Sequence, residues 1–279
     1  MRNIKADLHN HLRTSSRMSG LVKPTIDKAR KTLGPGGIIG LVNFDDSRYE
    51  DFANQRVNGY EHQDTAETLY FPNQDVLVVK GEEVQTAQGH LLVLGLPTGK
   101  HMISRRPLDD TILEAKERYD AITIADHPLY KEGCGVVLRF LPERYFSPDS
   151  QYKLDAVETH NGEAAFSCFG LLPRNANIRA QQMMNNLSLA KTDLSKVGEI
   201  YSSDGHSVYE IGSSWTELDI PEQVCITQDT SIVKQALKKA VQETNPFTPR
   251  KNTNSRFGAI DHISDLVTLI ALGKIGIKI

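Results

Sequence analysis

Most of the nine histidines in this 279-residue chain stand in short clusters, and almost every cluster also contains Asp or Glu. The clusters are Asp7-Leu8-His9-Asn10-His11, Gly81-Glu82-Glu83, Gly89-His90, Asp126-His127-Pro128, Glu158-Thr159-His160-Asn161 and Ser203-Asp204-Gly205-His206. Neutral imidazole and carboxylate groups bind divalent metals. Because burying so many of these groups without a cation is costly, the pattern predicts a hydrolase with more than one metal ion.

The first two clusters admit both a metal-binding and a structural interpretation. Residues i and i+2 of an extended backbone point to the same face, so His9 and His11 can reach one ion, although two exposed polar residues explain the pair equally well. Asp7 is placed to orient a ligand histidine. Glu83 can bridge two cations, whereas a lone Glu after a strand is more often a surface residue. His90, at a strand start, is either a ligand or a buried core group.

The later clusters favour a functional interpretation more strongly. Pro128 restricts the turn that holds His127, and Gly205 permits a tight turn through which Asp204 and His206 face one cavity. Of Glu158 and His160, one is expected to be a ligand and the other a supporting or substrate-contacting group. Asn161 either donates to a phosphate oxygen or makes a turn. The remaining histidines are interpreted as surface or structural groups, at positions 62, 101 and 262.

Predicted strands and helices alternate along the chain and would position these clusters. Strands are predicted at 3–8, 38–42, 75–80, 90–94, 121–125, 153–157, 197–201 and 223–227, and helices at 24–33, 108–119, 176–190, 229–243 and 259–272. Alternation of this kind predicts a parallel sheet with helices outside. Most clusters then follow the C-terminal end of a strand, where parallel barrels have their active sites.

One predicted connection is unusually long. Residues 45–74 form a polar, irregular excursion, and loops of this length are more often functional than neutral. Its aromatic residues would either stack on a base or pack into the core, and they are Tyr49, Phe52, Tyr60, Tyr70 and Phe71.

Composition limits the class of protein. A net charge of −3 and a pI of about 6.3 argue against a chain that coats nucleic acid. The 3 cysteines form no C-x-x-C pair, which predicts a reduced, cytoplasmic protein. No signal-peptide core and no apolar run long enough to cross a bilayer is found, so no membrane partner is expected. The sequence gives no indication of oligomeric state.

In this order the clusters resemble the motifs of the PHP (polymerase and histidinol phosphatase) family of metal-dependent phosphoesterases. The matches are to its D-L-H-x-H, G-x-E, H-hydrophobic-L-G, H-P, V-E-x-x-N and S-D-x-H motifs, over about residues 4 to 245. The resemblance implies an α/β fold, a distorted (β/α)7 TIM-like barrel with a metal site at the C-terminal rim of its strands. We predict a single PHP-like domain over residues 1–279, with the excursion at about 45–74 and a C-terminal helix at about 259–273.

The resemblance also implies a ligand set. His9, His11, Glu83 and Asp204 would hold one ion, and Glu83, His90 and His127 would hold a second. The family's third site is only partly matched, because residues 15–20 lack its Asp and residues 43–46 have Asp where His is expected. His206 and one of Asp45 or Asp46 would bind a third ion more weakly, and His160 is a further candidate metal ligand. The cofactors are therefore two divalent ions, with a third as an open alternative, and Mn, Zn and Fe all suit the ligands.

The implied activity is hydrolysis of a phosphomonoester of a small metabolite or nucleotide through a metal-activated water. Asp204 and His206 are the candidate catalytic residues, with His206 protonating the leaving oxygen. The candidate phosphate contacts are Arg13, Arg17, Lys131 and Asn161, although for each single cation a solvated surface charge is the favoured interpretation. One alternative is a nuclease or phosphodiesterase on short nucleic acids, for which nucleic acid is a substrate only. Another is a non-catalytic, metal-binding regulatory module.

Overall fold

The structure, a computed structural model, describes residues 2–12, 21–130, 132–162, 176–189, 197–221, 230–244 and 250–252. The predicted strand at 223–227 and the predicted helix at 259–273 lie outside these residues. None of the described helices has the length and apolar character needed to span a membrane.

The described strands follow the chain in eleven segments. They are β1 (Arg2–Asp7), β2 (Gly37–Asn43), β3 (Gln63–Asp64), β4 (Thr68–Phe71), β5 (Val76–Thr86), β6 (Gly89–Leu94), β7 (Ile122–Ala125), β8 (Ala156–Asn161), β9 (Gly198–Ser202), β10 (Ser214–Ile220) and β11 (Arg250–Asn252). The described α-helices are α1 (Val22–Leu33), α2 (Arg48–Ala53), α3 (Leu108–Tyr119), α4 (Gly135–Phe140), α5 (Pro142–Phe146), α6 (Ala176–Leu189) and α7 (Thr230–Gln242).

The strands form one sheet that curls into a nearly closed barrel. Its order is β11-β10-β1-β2-β5-β6-β7-β8-β9, with β4 on the side of β5 and β3 paired to β4. The two ends of the sheet meet where the Tyr201 amide of β9 donates to Thr216 Oγ1 of β10 at 2.7 Å. This nearly closed sheet confirms the predicted α/β fold with a TIM-like barrel.

The sheet is mixed, which corrects the prediction of a parallel sheet. The strand β6 runs antiparallel to both β5 and β7, and β10 runs antiparallel to β1. Only Ala87 and Gln88 lie between β5 and β6, and a parallel crossover needs about a dozen residues or more. The strand β10 was not predicted, although its buried residues alternate at Thr216, Leu218 and Ile220.

Two strands are longer than predicted toward the site. The strand β5 continues beyond Lys80 to Thr86, so Glu83 lies within a strand rather than after one. The strand β8 includes both Glu158 and His160, which were expected to follow it. Both extensions carry polar side chains into a buried rim, where alternating hydrophobicity gives no signal.

The excursion at 45–74 is partly ordered, since it contains α2, β3 and β4. Tyr49, Phe52 and Phe71 are fully buried and pack in one apolar cluster with residues of β2 and α1. The Tyr60 hydroxyl donates to Asp27, and the Tyr70 hydroxyl donates to Asp75. These aromatics therefore serve the core and the surface rather than stacking on a base.

Apolar side chains fill the barrel and α7 covers one of its ends. The helix lies across the strand starts, because Lys234 Nζ donates to the Tyr119 carbonyl before β7 and Gln242 Nε2 contacts Asp155 before β8. The opposite end, where the parallel strands finish, is left for polar side chains.

Candidate metal centre

Ligand-type side chains from five strands converge at the C-terminal end of the barrel. They follow β1, β7 and β9 or lie within β5 and β6. Each is at most 6% exposed, and they are His9, His11, Glu83, His90, Asp126, His127 and Asp204. Since β6 runs antiparallel to its neighbours, its first residues lie at the same rim as the end of β5, which brings His90 beside Glu83.

The first group of ligand atoms surrounds one oxygen of Glu83. His9 Nε2 lies 3.0 Å from His11 Nε2, and His11 Nε2 lies 2.7 Å from Glu83 Oε2. Asp204 Oδ1 is 3.5 Å from His9 Nε2 and 3.6 Å from His11 Nε2. A neutral imidazole nitrogen without a proton is a lone-pair donor, so two such atoms facing two carboxylates suit a shared cation.

The second group surrounds the other oxygen of Glu83. His127 Nε2 lies 3.1 Å from Glu83 Oε1, and His90 Nδ1 contacts the same oxygen. Asp126 Oδ2 lies 3.5 Å from His127 Nε2. Glu83 thus directs one oxygen to each group, which is the arrangement a bridging ligand needs. Asp126 was not predicted as a ligand, although its place beside His127 after a strand was the available signal.

The donor atoms of these groups fit divalent cations. Asp204 Oδ1 and both Asp126 oxygens are buried and accept no hydrogen bond from the residues that the structure describes. A buried carboxylate oxygen without a partner lowers the free energy of unfolding by an amount on the order of several kcal/mol. Mixed imidazole and carboxylate groups that lack other partners are therefore a suitable ligand set for metal.

The charges of the two groups are mutually stabilised. Burial alone would raise the pKa of Glu83, but hydrogen bonds with His11, His127, His9 and His90 hold it well below its ordinary value. Burial lowers the pKa of His127, but Asp126 and Glu83 raise it more, so it lies well above its ordinary value. The pKa of each of these side chains therefore depends on the charges of its neighbours in the site.

Glu158 and Asn161 hold ligands in place. Glu158 Oε1 contacts His9 Nδ1 at 3.2 Å, and Glu158 Oε2 accepts the His127 amide at 2.8 Å. Asn161 Nδ2 donates to Glu158 Oε2 at 2.8 Å and to Asp204 Oδ2 at 2.9 Å. Both amide hydrogens of Asn161 are used in this way, which argues against its predicted contact with a substrate phosphate.

Asp7 anchors a loop rather than a ligand histidine. Its carboxylate accepts the Ser203 amide at 2.9 Å, the Ser203 hydroxyl at 2.6 Å and the Gly212 amide at 2.8 Å. Burial raises the pKa of Asp7 to about 6, against the opposing effect of these hydrogen bonds. Asp7 therefore ties the end of β1 to the loop that carries Asp204.

The structure does not bring every predicted ligand to the two groups. Among the described residues, the converging ligand atoms include none from Asp45, Asp46, His160 or His206. Asp45 accepts the Ser104 hydroxyl at 2.7 Å, and Asp46 accepts the Phe44 amide. His160 lies under Tyr201, with 4.8 Å between ring centroids, and its Nδ1 is 3.1 Å from Asn177 Nδ2.

A cavity of about 200 Å³ opens over the two groups, and His206, Phe44, Arg48, Tyr130 and Glu132 line it beside the ligands. The His206 ring centroid is 5.1 Å from that of His11, and His206 Nδ1 is 3.0 Å from the Asp204 carbonyl.

The predicted phosphate contacts Arg13, Arg17 and Lys131 lie outside the described residues. Arg48 is a cavity cation that the sequence analysis missed. It lies in the excursion, two residues after the Asp45-Asp46 pair that follows β2, which was the available signal. Arg48 Nη1 donates to the His11 carbonyl at 2.8 Å.

Comparisons with known proteins support the fold. No family model matches the chain, and no curated protein matches it in sequence. Among solved structures it is similar to PsfC from Pseudomonas syringae PB-5123, at 15% identity and a TM-score of 0.57, over 96% of this chain and 98% of that one.

It is also similar to Endonuclease Q in complex with a 27-mer duplex substrate that has an abasic lesion, at 13% identity and a TM-score of 0.51. The similarity covers 90% of this chain and 58% of that one. A two-domain protein from Bacteroides vulgatus ATCC 8482, containing a predicted PHP-like metal-dependent phosphoesterase, matches at 17% identity and a TM-score of 0.49, over 90% and 65% of the two chains. The similarities to PsfC and to Endonuclease Q show that the chain shares a fold with these proteins.

Proposed function

We propose that the chain is a divalent-metal-dependent phosphoesterase that hydrolyses a phosphomonoester of a small metabolite or nucleotide. The observation that carries the proposal is the convergence of buried imidazole and carboxylate groups on the two oxygens of Glu83. His9, His11, Glu83 and Asp204 would hold one ion, and Glu83, His90 and His127 would hold another. Bound divalent cations supply Lewis acidity toward a phosphoryl oxygen and lower the pKa of a water molecule.

The chain's own groups position the substrate and move the proton. Arg48 lines the cavity, and a guanidinium can donate charge-assisted hydrogen bonds to phosphate oxygens. His206 Nδ1 lies 3.0 Å from the Asp204 carbonyl, so Nδ1–H can donate to that carbonyl and orient the ring. When the ring is protonated at both nitrogens, Nε2–H can give its proton to the leaving oxygen, which leaves the neutral imidazole.

The volume of the cavity supports a small substrate. About 200 Å³ is below the roughly 300 Å³ at which pockets for drug-sized ligands begin. Such a space suits a phosphoryl group with a small attached portion, while a larger substituent would extend outside. Hydrolysis of nucleic acid is the second candidate, because the chain shares its fold with Endonuclease Q.

Hydrolysis assays separate these candidates. The substrates are p-nitrophenyl phosphate, bis-p-nitrophenyl phosphate, short single-stranded oligonucleotides and a duplex with an abasic site, each with Mn²⁺ and after chelation. The proposal expects Mn²⁺-dependent turnover of the monoester above that of the other substrates. Preferential cleavage of the diester or of DNA would favour the nuclease. Absence of all turnover in protein shown to carry metal would favour the regulatory module.

The Glu83→Gln variant is the control for a contaminating phosphatase. It keeps the shape of the side chain but removes the charge that both groups share. Turnover that survives this change would not come from the proposed centre.

A further inference from the structure

Asp126 is a buried carboxylate that the described hydrogen bonds leave unsatisfied at both of its oxygens. It is 0% exposed, and neither oxygen accepts a hydrogen bond from the described part of the chain. Asp155 and Asp7 are also buried, but their carboxylates are satisfied. Asp155 accepts from the Thr123 amide at 2.8 Å and from the Thr123 hydroxyl at 3.1 Å, and Asp7 accepts from Ser203 and Gly212. The Asp126 carboxylate therefore needs a bound cation or a proton to offset the cost of its burial.

The backbone turns Asp126 toward the ligands. Successive side chains on an extended strand point to opposite faces, so Asp126 and His127 would normally diverge. The residue His127 has a positive φ of 25°, a conformation that non-glycine residues seldom adopt. This turn lets both side chains reach one place, where an Asp126 oxygen lies within 4.8 Å of ligand atoms from Glu83, His90 and His127.

We propose that Asp126 is a fourth protein ligand of the ion held by Glu83, His90 and His127, and that it shifts the relative affinity of this site toward Mn²⁺ and away from Zn²⁺. The inference rests on the metal centre of the proposed function. The ligand set becomes two carboxylates and two imidazoles, and carboxylate oxygen favours Mn²⁺ more than it favours Zn²⁺.

A competing role is to orient His127 without touching the ion, since Asp126 Oδ2 lies 3.5 Å from His127 Nε2. Loss of an orienting group weakens binding of every metal through the same imidazole. Loss of an oxygen ligand weakens Mn²⁺ binding more than Zn²⁺ binding. The ratio of the two affinities therefore separates the roles.

The test uses the chelated full chain and its Asp126→Asn and Asp126→Ala variants. Mn²⁺ affinity is measured from the electron paramagnetic resonance signal of free Mn²⁺, and Zn²⁺ affinity by competition with a chromophoric chelator. We expect Mn²⁺ affinity at one site to fall by at least the roughly tenfold that losing an outer-shell partner costs. Zn²⁺ affinity should fall clearly less, and the visible absorption of bound Co²⁺ should change in intensity.

The matched control is Asp155→Asn, which alters a buried but hydrogen-bonded aspartate and should leave both metal affinities unchanged. Melting of the metal-free proteins provides a check on folding, because Asp126→Asn keeps the size of the side chain and should leave the melting temperature close to that of the parent chain.

Unchanged Mn²⁺ affinity in both Asp126 variants, or equal losses for Mn²⁺ and Zn²⁺, would overturn the inference while leaving the proposed function standing. A parent chain that binds neither Mn²⁺ nor Zn²⁺ would overturn both this inference and the proposed function. In that case the Glu83→Gln variant would show the same absence of metal binding as the parent chain.

Discussion

Glu83 is the residue on which the two groups of ligands depend. One of its oxygens lies 2.7 Å from His11 Nε2 and the other 3.1 Å from His127 Nε2, so a single side chain serves both. Asp204, by contrast, contacts only the His9 and His11 side.

This difference predicts unequal effects of two isosteric substitutions. At a fixed free Mn²⁺ concentration that fills the parent chain, Glu83→Gln should lose both ions, whereas Asp204→Asn should lose one. The number of bound ions is measured by mass spectrometry of the metal after gel filtration. Two ions retained by Glu83→Gln would show that the carboxylate does not bridge.

Arg48 should act on the substrate rather than on the metals. Charge-assisted hydrogen bonds contribute about 1.5–3 kcal/mol, so Arg48→Ala should lower kcat/KM for a phosphomonoester by roughly 10- to 100-fold. The number of bound ions should stay at the parent value. Arg48→Lys, which keeps the charge but not the fork of donors, should recover part of the activity. Equal kcat/KM in Arg48→Ala and the parent would remove Arg48 from substrate binding.

At the scale of elements, the closeness of β1 and β2 sets the position of His9. A Cβ at Gly40 would lie 2.0 Å from the Leu8 carbonyl oxygen, directly before His9. Side chains forced into a packed region cost about 1–3 kcal/mol and shift the backbone. Gly40→Ala should therefore lower both the melting temperature and the Mn²⁺ affinity.

The control for this effect is Gly59→Ala, which meets nothing within 4 Å but has a φ of +82°. It should lower the melting temperature modestly without changing metal affinity. Parent-like Mn²⁺ affinity in Gly40→Ala would show that β1 can shift without moving its ligands.

A buried ion pair joins α2 to β5 and predicts a pH effect remote from the ligands. Burial raises the pKa of Glu50, but hydrogen bonds from Lys80, the Gly99 amide and Asn43 lower it to about 2 from 4.5. Lys80 itself is fully buried. Because the folded pKa is depressed, this stabilisation is complete above pH 4.5 and is lost as pH falls toward 2.

Unfolding by urea between pH 6 and pH 3 measures this loss. Glu50→Gln should cost roughly 1–3 kcal/mol at pH 6, because it leaves the buried Lys80 charge without its partner, and should show a flatter pH dependence below 4.5. The double variant Glu50→Gln/Lys80→Met should recover much of that stability. If the free energy of unfolding of Glu50→Gln changed with pH as steeply as that of the parent chain, the Glu50–Lys80 pair would not be the source of the pH effect.

The sequence predicts elements best where a regular apolar pattern continues to their ends. The helix predicted at 108–119 coincides with α3, and the strand predicted at 90–94 falls within β6. Glu83 and Glu158 lie within strands because the ladder of hydrogen bonds continues into a polar rim. Hydrophobic pattern does not report that continuation, so both strands were predicted too short.

For the whole molecule, closure of the sheet gathers residues that are far apart in the chain. The His11 amide donates to the Gly205 carbonyl at 2.7 Å, which joins the loop after β1 to the loop after β9. Motif order was enough to predict a barrel with its site at the C-terminal rim. It was not enough to predict Asp126 or Arg48, because their roles arise from a backbone turn and a cavity wall that only the folded chain defines.

The most direct test of the metal centre is an anomalous difference map from crystals of the chain grown with Mn²⁺. Two peaks are predicted at the C-terminal end of the barrel, one contacting His9, His11 and Asp204, the other contacting His90 and His127, and both contacting Glu83. A map without peaks there, or with Mn²⁺ bound only elsewhere, would contradict the account.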